Sequence, residues 1–129
     1  MIIGIGCDIV DINRIKKLYL KYKERFISKI LTSEEISHFN NLSTEKFKIY
    51  FIAKRFAAKE ALAKAFGCGI GTELSFQDII VSNNAAGAPA INLKKSPPCK
   101  DFIGKTPQIY LTISDESWTA VAFVVIELL

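Results

Sequence analysis

Hydrophobic positions follow two different periods in the two halves of the chain. From about residue 12 to residue 66, apolar side chains recur every three or four positions, as in amphipathic helices. Later segments at 76–82, 88–93, 108–114 and 119–126 are short and rich in β-branched and aromatic residues, which favours strands. The order predicts an α+β fold, with a helical first half and a long central helix packed on a small antiparallel sheet.

Polar side chains at the ends of these periodic segments divide the first half into three helices. Asp11 can cap a first helix that runs to about residue 28. Thr32, followed three residues later by Glu35, forms a capping-box pattern that predicts a second helix to about residue 42. The Ser-Thr pair at 43–44 offers a cap for the long third helix, and Gly67 is a natural residue to end it.

Small residues mark two segments where backbones can approach closely. Residues 2–8 predict a short buried strand that ends in Asp8, and Gly4 and Gly6 would weaken it unless something packs against its backbone. The third glycine of a dinucleotide-binding loop is missing, since position 9 is Ile. Six alanines between residues 53 and 65 give the long helix room for a neighbouring backbone or a ligand.

Charges on the long helix fall on two sides. Glu60 and Lys64 are one turn apart, on a side that is otherwise largely apolar. Lys48, Arg55 and Lys59 cluster on another face, where we expect ordinary solvated charges. An acid and a base among apolar residues are costly unless they bind something.

Composition narrows the class of protein. A chain of 129 residues, 50% hydrophobic and 23% charged, is long enough for one domain, residues 1–129, with a real core. No apolar run is long enough to span a bilayer and no signal-type segment opens the chain, so we expect a cytoplasmic protein that is not membrane-bound. The net charge of +4 suggests an acidic partner, which could be nucleic acid, a phosphorylated ligand or an acidic protein.

The cysteines and the histidine show no pattern of a metal site or a catalytic triad. Cys7, Cys68 and Cys99 have no metal-ligand spacing, and we expect buried, reduced thiols. The only histidine, His38, lies in a predicted helix and has no apparent nucleophile partner. A catalytic triad is therefore not indicated.

Asp8 and Glu60 could form a metal site if the strand and the long helix converge. Mg²⁺ is often held by one or two carboxylates together with waters and substrate phosphates. Lys64 would then offer a positive charge to a phosphate. The alternative is structural, with Glu60 and Lys64 as an ordinary helical pair and Asp8 as a residue at a strand end.

Two motifs resemble those of a known enzyme family. The segment Gly4-Ile5-Gly6-Cys7-Asp8-Ile9-Val10-Asp11-Ile12, followed by Arg14-Ile15, is similar to the opening of bacterial holo-acyl-carrier-protein synthases. Arg55-Phe56-Ala57-Ala58-Lys59-Glu60-Ala61, followed by Lys64-Ala65-Phe66-Gly67, resembles the second motif of these phosphopantetheinyl transferases. Further similarities follow in the family's order along essentially the whole chain.

The resemblance implies transfer of the phosphopantetheine arm from coenzyme A to a serine of apo-acyl-carrier protein, for fatty acid biosynthesis. It implies Asp8 and Glu60 as Mg²⁺ ligands and Lys64 as a contact to the coenzyme A phosphates. Glu60 is the best candidate to take the serine proton, and Asp8 is a weaker one. The nucleophile belongs to the partner, which agrees with the missing triad.

Other coenzyme A contacts implied by the family are Arg55 and the turn that carries Gly87 and Pro89. Arg55 conflicts with its predicted solvated face, unless the ligand extends around the helix or Arg55 serves a neighbouring subunit. Many relatives have a histidine where this chain has Asp115. A contact made by that histidine cannot be transferred to this chain.

The basic first helix gains a partner from the same resemblance. Arg14, Lys17 and Lys21 would dock the acidic helix of an acyl-carrier protein, and the family implies a homotrimer with sites between subunits. The competing interpretation is a solvated helix face, or a non-catalytic basic module that binds nucleic acid or an acidic protein. We expect no nucleic-acid binding, because no recognition motif for it is present.

Overall fold

The computed structural model describes residues 1–98, 102 and 104–129. Its elements, in chain order, are β1 Ile2–Asp11, α1 Ile12–Tyr22, α2 Glu24–Ile30, α3 Ser33–Asn40, α4 Glu45–Phe66, a 3₁₀ turn Phe76–Asp78, β2 Ile79–Asn83, β3 Pro89–Leu93, β4 Gln108–Glu116 and β5 Thr119–Glu127. The predicted α+β class is confirmed. Within the described residues, no helix has both the length and the apolar character needed to cross a membrane.

Two antiparallel sheets lie beside the long helix α4. The first has the strand order β1-β5-β4, and the second is the β2-β3 hairpin. The inner face of β5 is fully buried through Ala120, Ala122, Val124 and Ile126. Helix α4 packs against β1 and β5, so the main core lies between the three-stranded sheet and this helix.

Strand β1 differs from the predicted buried strand in length and in environment. It continues to Asp11, so Asp8 lies within the strand, opposite Ala122 of β5. Ile5 and Ile9 are exposed, whereas Val10 is buried. The prediction was wrong because β1 is an edge strand with only one face covered. Side chains alternate between the two faces of a strand, so Asp8 shares the face of Gly4 and Gly6.

The first helix is broken, which the periodicity did not predict. Lys23 has a φ of 48°, and its backbone N–H donates to the Tyr19 carbonyl oxygen to close α1. Helix α2 then begins at Glu24 and buries Phe26 and Ile30. A left-handed φ is uncommon for a lysine, and no glycine or proline near residue 23 marks the break in the sequence.

The predicted helix caps are confirmed where they depend on local contacts. Asp11 accepts from the Asn13 N–H at 2.8 Å. The Thr32–Glu35 capping box is formed, although α3 ends at Asn40 rather than near residue 42. Thr44 caps α4, and Gly67 ends it with a φ of 77°.

The strand half departs from the prediction in two places. Residues 76–78 form a 3₁₀ turn because Asp78 accepts the Ser75 N–H at 2.8 Å, and the strand begins only at Ile79. Strand β4 extends to Glu116, so Asp115 pairs with Ala120 instead of lying in a connection at 115–117.

The cysteines were expected to be buried, and this is wrong for Cys7. Its side chain is exposed on the outer face of β1, while Cys68 is partly buried. Cys99 lies outside the described residues.

Candidate functional site

The contact between β1 and α4 is made by backbone against backbone. A Cβ atom on Gly4 would collide with the Ala65 carbonyl oxygen, and one on Gly6 would collide with the Ala61 carbonyl oxygen. The glycines of the strand and the alanines of the helix therefore complement one another. Because Asp8 lies two residues beyond Gly6, this close contact places Asp8 beside the last turns of α4.

Asp8 and Lys64 meet directly at this contact. The Lys64 Nζ donates to the Asp8 Oδ1 at 3.0 Å and to the Cys7 carbonyl oxygen at 3.1 Å. The Lys64 side chain is 53% exposed and that of Asp8 is 14% exposed. The hydrogen bond to Asp8 and the charge of Asp8 raise the Lys64 pKa. The ammonium is therefore held as a cation within reach of solvent.

Glu60 lies one helical turn before Lys64 and faces an open cleft of about 500 Å³. Partial burial raises the Glu60 pKa, and the nearby negative charge of Asp8 raises it further. The charges of Lys64 and Arg14 act in the opposite direction. The two carboxylates are thus close enough to repel each other, which is the electrostatic setting of a cation site.

The donor set fits a magnesium ion better than a transition metal. Among residues 1–98, 102 and 104–129, no cluster of three or more His, Cys, Asp or Glu side chains could hold a metal. Glu60 lines the open cleft, and Asp8 supplies a second carboxylate whose charge acts on Glu60. Mg²⁺ is commonly held by so few protein oxygens, because waters and substrate phosphates complete its shell.

The cleft beside Glu60 is apolar inside and basic at its rim. Its apolar lining comes from α1, α2, α4 and the 3₁₀ turn, and comprises Leu18, Tyr22, Phe26, Ile30, Phe56 and Phe76. Arg14 and Arg25, both from the basic first segment, line the cleft, as does Lys29 of α2, which the sequence did not single out. Lys17 and Lys21 are exposed on α1 and do not line it.

The expected solvated face of α4 is wrong for two of its three cations. Lys59 is 0% exposed and Arg55 only 4% exposed, whereas Lys48, the third cation of that face, is half-buried. The helix is covered on nearly every side, so its own periodicity does not decide which charges meet water. The sequence did contain an indication that Lys59 is buried. Ile52 lies seven residues before it and Leu62 three residues after it, on the same helix face, and both are fully buried.

Arg55 belongs to a second cavity, on another side of α4. Its Nη2 donates to the Asn83 Oδ1 at 3.0 Å, and its guanidinium carbon lies 4.2 Å from the centre of the Phe51 ring. Its Nε is buried and has no hydrogen-bond partner among the residues that the structure describes. Burial lowers the Arg55 pKa. The cavity of about 210 Å³ is also lined by His38 and Glu35.

The β2-β3 hairpin completes this second cavity. The Asn83 Nδ2 donates to the Gly87 carbonyl oxygen at 3.0 Å, so Asn83 connects Arg55 to the turn that carries Gly87 and leads into Pro89. The structure therefore brings Arg55, Gly87 and Pro89 into one neighbourhood. It places Asp8, Glu60 and Lys64 in another.

Asp115 takes no part in either group of residues. It is exposed in β4, and the side chains that line the two cavities do not include it. His38 packs its ring edge-on against Phe51, with the ring centres 4.9 Å apart.

A sequence model of the 4′-phosphopantetheinyl transferase superfamily matches residues 4–122. The chain belongs to this superfamily. The matched residues include both motifs and the whole of the Asp8, Glu60 and Lys64 group. The expectation of an enzyme of the phosphopantetheinyl transferase family is confirmed.

Similar proteins cover nearly the full length of the chain. A holo-[acyl-carrier-protein] synthase of a Geobacillus species is 46% identical over 127 residues, with 98% of each chain covered. One from Wolbachia pipientis is 41% identical over 126 residues, also with 98% of each covered. The crystal structure of a holo-(acyl-carrier-protein) synthase from Bacillus anthracis, in complex with CoA (3′,5′-ADP), has a TM-score of 0.84 and 40% identity, covering 100% of this chain and 99% of that one.

Proposed function

We propose that this chain is a magnesium-dependent holo-acyl-carrier-protein synthase that serves fatty acid biosynthesis in the cytoplasm. It transfers the phosphopantetheine arm of coenzyme A to a serine of apo-acyl-carrier protein and releases adenosine bisphosphate. The observation that supports the proposal is the contact between β1 and α4, which brings Asp8 against Lys64 and close to Glu60, whose side chain lines an open cleft.

Asp8 and Glu60 are the residues that would hold Mg²⁺. The ion, when bound, supplies positive charge to the coenzyme A pyrophosphate. The mutual repulsion of the two carboxylates supports this assignment, because a divalent cation between them would relieve it.

The chain's own side chains have distinct tasks in the transfer. The exposed ammonium of Lys64 stabilises the negative charge that grows on the leaving phosphate oxygen. Glu60, with a pKa raised by burial and by Asp8, is placed to take the proton of the attacking serine hydroxyl. The serine oxygen attacks the β-phosphorus, and the bond from that phosphorus to the bridging oxygen of the coenzyme A pyrophosphate breaks, so that oxygen leaves with its electron pair on adenosine bisphosphate.

Arg55, Gly87 and Pro89 would bind the adenosine bisphosphate end of coenzyme A. The buried Nε of Arg55, which has no acceptor within the described part of the chain, would donate to a phosphate oxygen. Because this cavity lies apart from Asp8 and Glu60, one protomer would supply the first group of residues and its neighbour the second.

Self-association as a homotrimer would allow such a shared site. The outer face of the three-stranded sheet exposes Ile5, Ile9, Tyr110 and Phe123, with exposed fractions of 63%, 69%, 52% and 41%. The strand register places these side chains on one continuous face. An apolar surface of this kind favours contact with another copy of the chain.

The acidic carrier protein would dock on α1 through Arg14, Lys17 and Lys21. Arg14 also lines the cleft that contains Glu60, so docking at this helix would deliver a serine towards that carboxylate. Charges of this kind mainly accelerate and orient the encounter between two proteins.

Intact-mass spectrometry tests the proposed function. Apo-acyl-carrier protein incubated with this protein, coenzyme A and Mg²⁺ should gain the mass of one phosphopantetheine arm, and a chelator should prevent the gain. A Lys64→Ala variant should mainly weaken the use of coenzyme A. No mass gain under any metal condition, together with salt-sensitive binding of RNA, would favour the non-catalytic basic module instead.

A further inference from the structure

The Lys59 ammonium is the most completely enclosed charge on α4. It donates to the Glu35 Oε1 at 2.6 Å, to the Ile30 carbonyl oxygen at 2.7 Å and to the Phe76 carbonyl oxygen at 3.1 Å. An ammonium has three N–H groups, so each one has an acceptor. The three acceptors belong to three segments, namely the end of α2, the first turn of α3 and the 3₁₀ turn.

Glu35 extends this connection to two further places. Its Oε1 accepts from the Thr32 N–H at 2.8 Å, which caps α3, and its Oε2 accepts from the Val81 N–H at 2.8 Å, in the middle of β2. The Glu35 side chain is 1% exposed and that of Lys59 is 0% exposed. One buried ion pair therefore joins α2, α3, α4, the 3₁₀ turn and β2.

The joined segments form the walls of both cavities. Ile30 and Phe76, whose carbonyl groups Lys59 holds, line the cleft beside Glu60. Glu35 itself and Val81, whose N–H it holds, line the cavity of Arg55. The ion pair lies between the two cavities and contacts the lining of each.

Stability alone does not account for a pair of this kind. A buried ion pair contributes little more than well-packed apolar side chains of similar volume, because both charges lose their hydration. Its hydrogen bonds, however, are directional, and they fix the positions of carbonyl and amide groups that apolar packing would leave free to shift.

We propose that Lys59 and Glu35 are positioning residues that fix the cleft of Glu60 and the cavity of Arg55 in one geometry, so that substrate binding at both depends on this pair. The proposal deepens the proposed function and rests on it for its kinetic test. Lys59, the residue before Glu60, would then act by positioning other groups and not by contact with substrate.

A stability-matched comparison tests the proposal. Lys59→Met removes the ammonium, and Leu62→Ala removes apolar volume from the same helix at a residue that is fully buried and lines neither cavity. Both variants are assayed at a temperature where circular dichroism shows each to be folded. We expect Lys59→Met to lower kcat/KM by about 10–100-fold, mainly through the KM values for coenzyme A and the carrier protein. Leu62→Ala should stay within about twofold of the wild type.

A second readout does not require activity. Hydrogen exchange of the amides at 27–31 and 79–82 should accelerate in Lys59→Met and remain near wild type in Leu62→Ala. If Lys59→Met does not fold, Glu35→Gln replaces it in both measurements. Wild-type protein that transfers nothing would refute the proposed function, and hydrogen exchange would still test the pair. Equal kinetics and equal exchange in the two variants would overturn the inference.

Discussion

Helix α4 carries two lysine–carboxylate pairs whose surroundings differ greatly. Lys59 and Glu35 lie 2.6 Å apart with side chains 0% and 1% exposed, and every N–H of the ammonium is used. Lys64 and Asp8 lie 3.0 Å apart with side chains 53% and 14% exposed. Enclosure makes the first pair a structural connection, whereas access to solvent leaves the second pair able to exchange its partners.

The difference shows that a charge on a helix acquires its role from the elements packed around it. Removal of one member of a buried pair leaves an uncompensated charge in the interior, which is strongly destabilising. An exposed pair contributes little to stability, so its members can serve chemistry. Substitutions of Asp8 and Glu60 should therefore affect activity with little effect on folding, whereas substitutions of the Lys59–Glu35 pair should affect both.

The largest expected effect is a loss of activity when Asp8 or Glu60 is replaced. Asp8→Ala or Glu60→Ala should reduce the rate of phosphopantetheine transfer by about 10³-fold or more, because the charge on the phosphates loses its stabilisation. The free energy of unfolding should change by no more than about 1 kcal/mol. Intact-mass kinetics and urea unfolding measure the two quantities. Full activity of either variant in excess Mg²⁺ would remove that residue from the site.

The next largest effect is a loss of stability when the buried pair of Lys59 and Glu35 is broken. Lys59→Met should lower the free energy of unfolding by about 3–5 kcal/mol, since Glu35 would remain buried without its cation. Urea unfolding followed by circular dichroism measures the change. A loss below about 1 kcal/mol would show that the two pairs of α4 do not differ in the way described.

The backbone contact between β1 and α4, which brings Asp8 to Lys64, should be sensitive to one added methyl group. Gly6→Ala should lower the free energy of unfolding by about 1–3 kcal/mol and reduce transfer, because the new Cβ meets the Ala61 carbonyl oxygen and displaces Asp8. Gly71→Ala is the matched control, since a Cβ there meets nothing within 4 Å. Equal stability of the two variants would argue against close backbone packing.

The smallest expected effect is the pH dependence of stability at Glu60. Its folded-state pKa is raised above 4.5, mainly by burial, so the folded protein favours the protonated form. The stability that this preference contributes is present below the unfolded pKa and is lost as the pH rises through the folded pKa. Glu60→Gln should therefore melt slightly higher than wild type at about pH 7, and the difference should vanish near about pH 4. Calorimetry that finds the same difference at both pH values would contradict this assignment.

Sequence patterns predicted the features that depend on neighbours along the chain. The caps at Asp11, Thr32 and Thr44 and the end of α4 at Gly67 each rest on contacts within a few residues. The break at Lys23, where φ is 48°, was missed because no glycine, proline or other residue type marks it in the sequence.

The charged residues were harder to assign from the sequence. The burial of Arg55 and Lys59 depends on partners 28 and 24 residues away, Asn83 and Glu35, which the periodicity of α4 cannot locate. The sequence supported only a hypothesis that Asp8 and Glu60 converge, and it did not predict that Lys64 contacts Asp8, 56 residues away. The glycines of β1 and the alanines of α4 each indicated room for a close neighbour, but not that they pack against each other.

Metal binding by Asp8 and Glu60 is the most direct test of the account. Mn²⁺ takes the same oxygen ligands as Mg²⁺ and can be followed by electron paramagnetic resonance. Wild-type protein and Asp11→Asn, a control that removes a nearby strand carboxylate but keeps a helix cap, should bind Mn²⁺ at a saturable site in competition with Mg²⁺. Asp8→Ala and Glu60→Ala should lose that site while remaining folded. Unchanged Mn²⁺ binding in these two variants would contradict the assignment of Asp8 and Glu60 as the metal ligands.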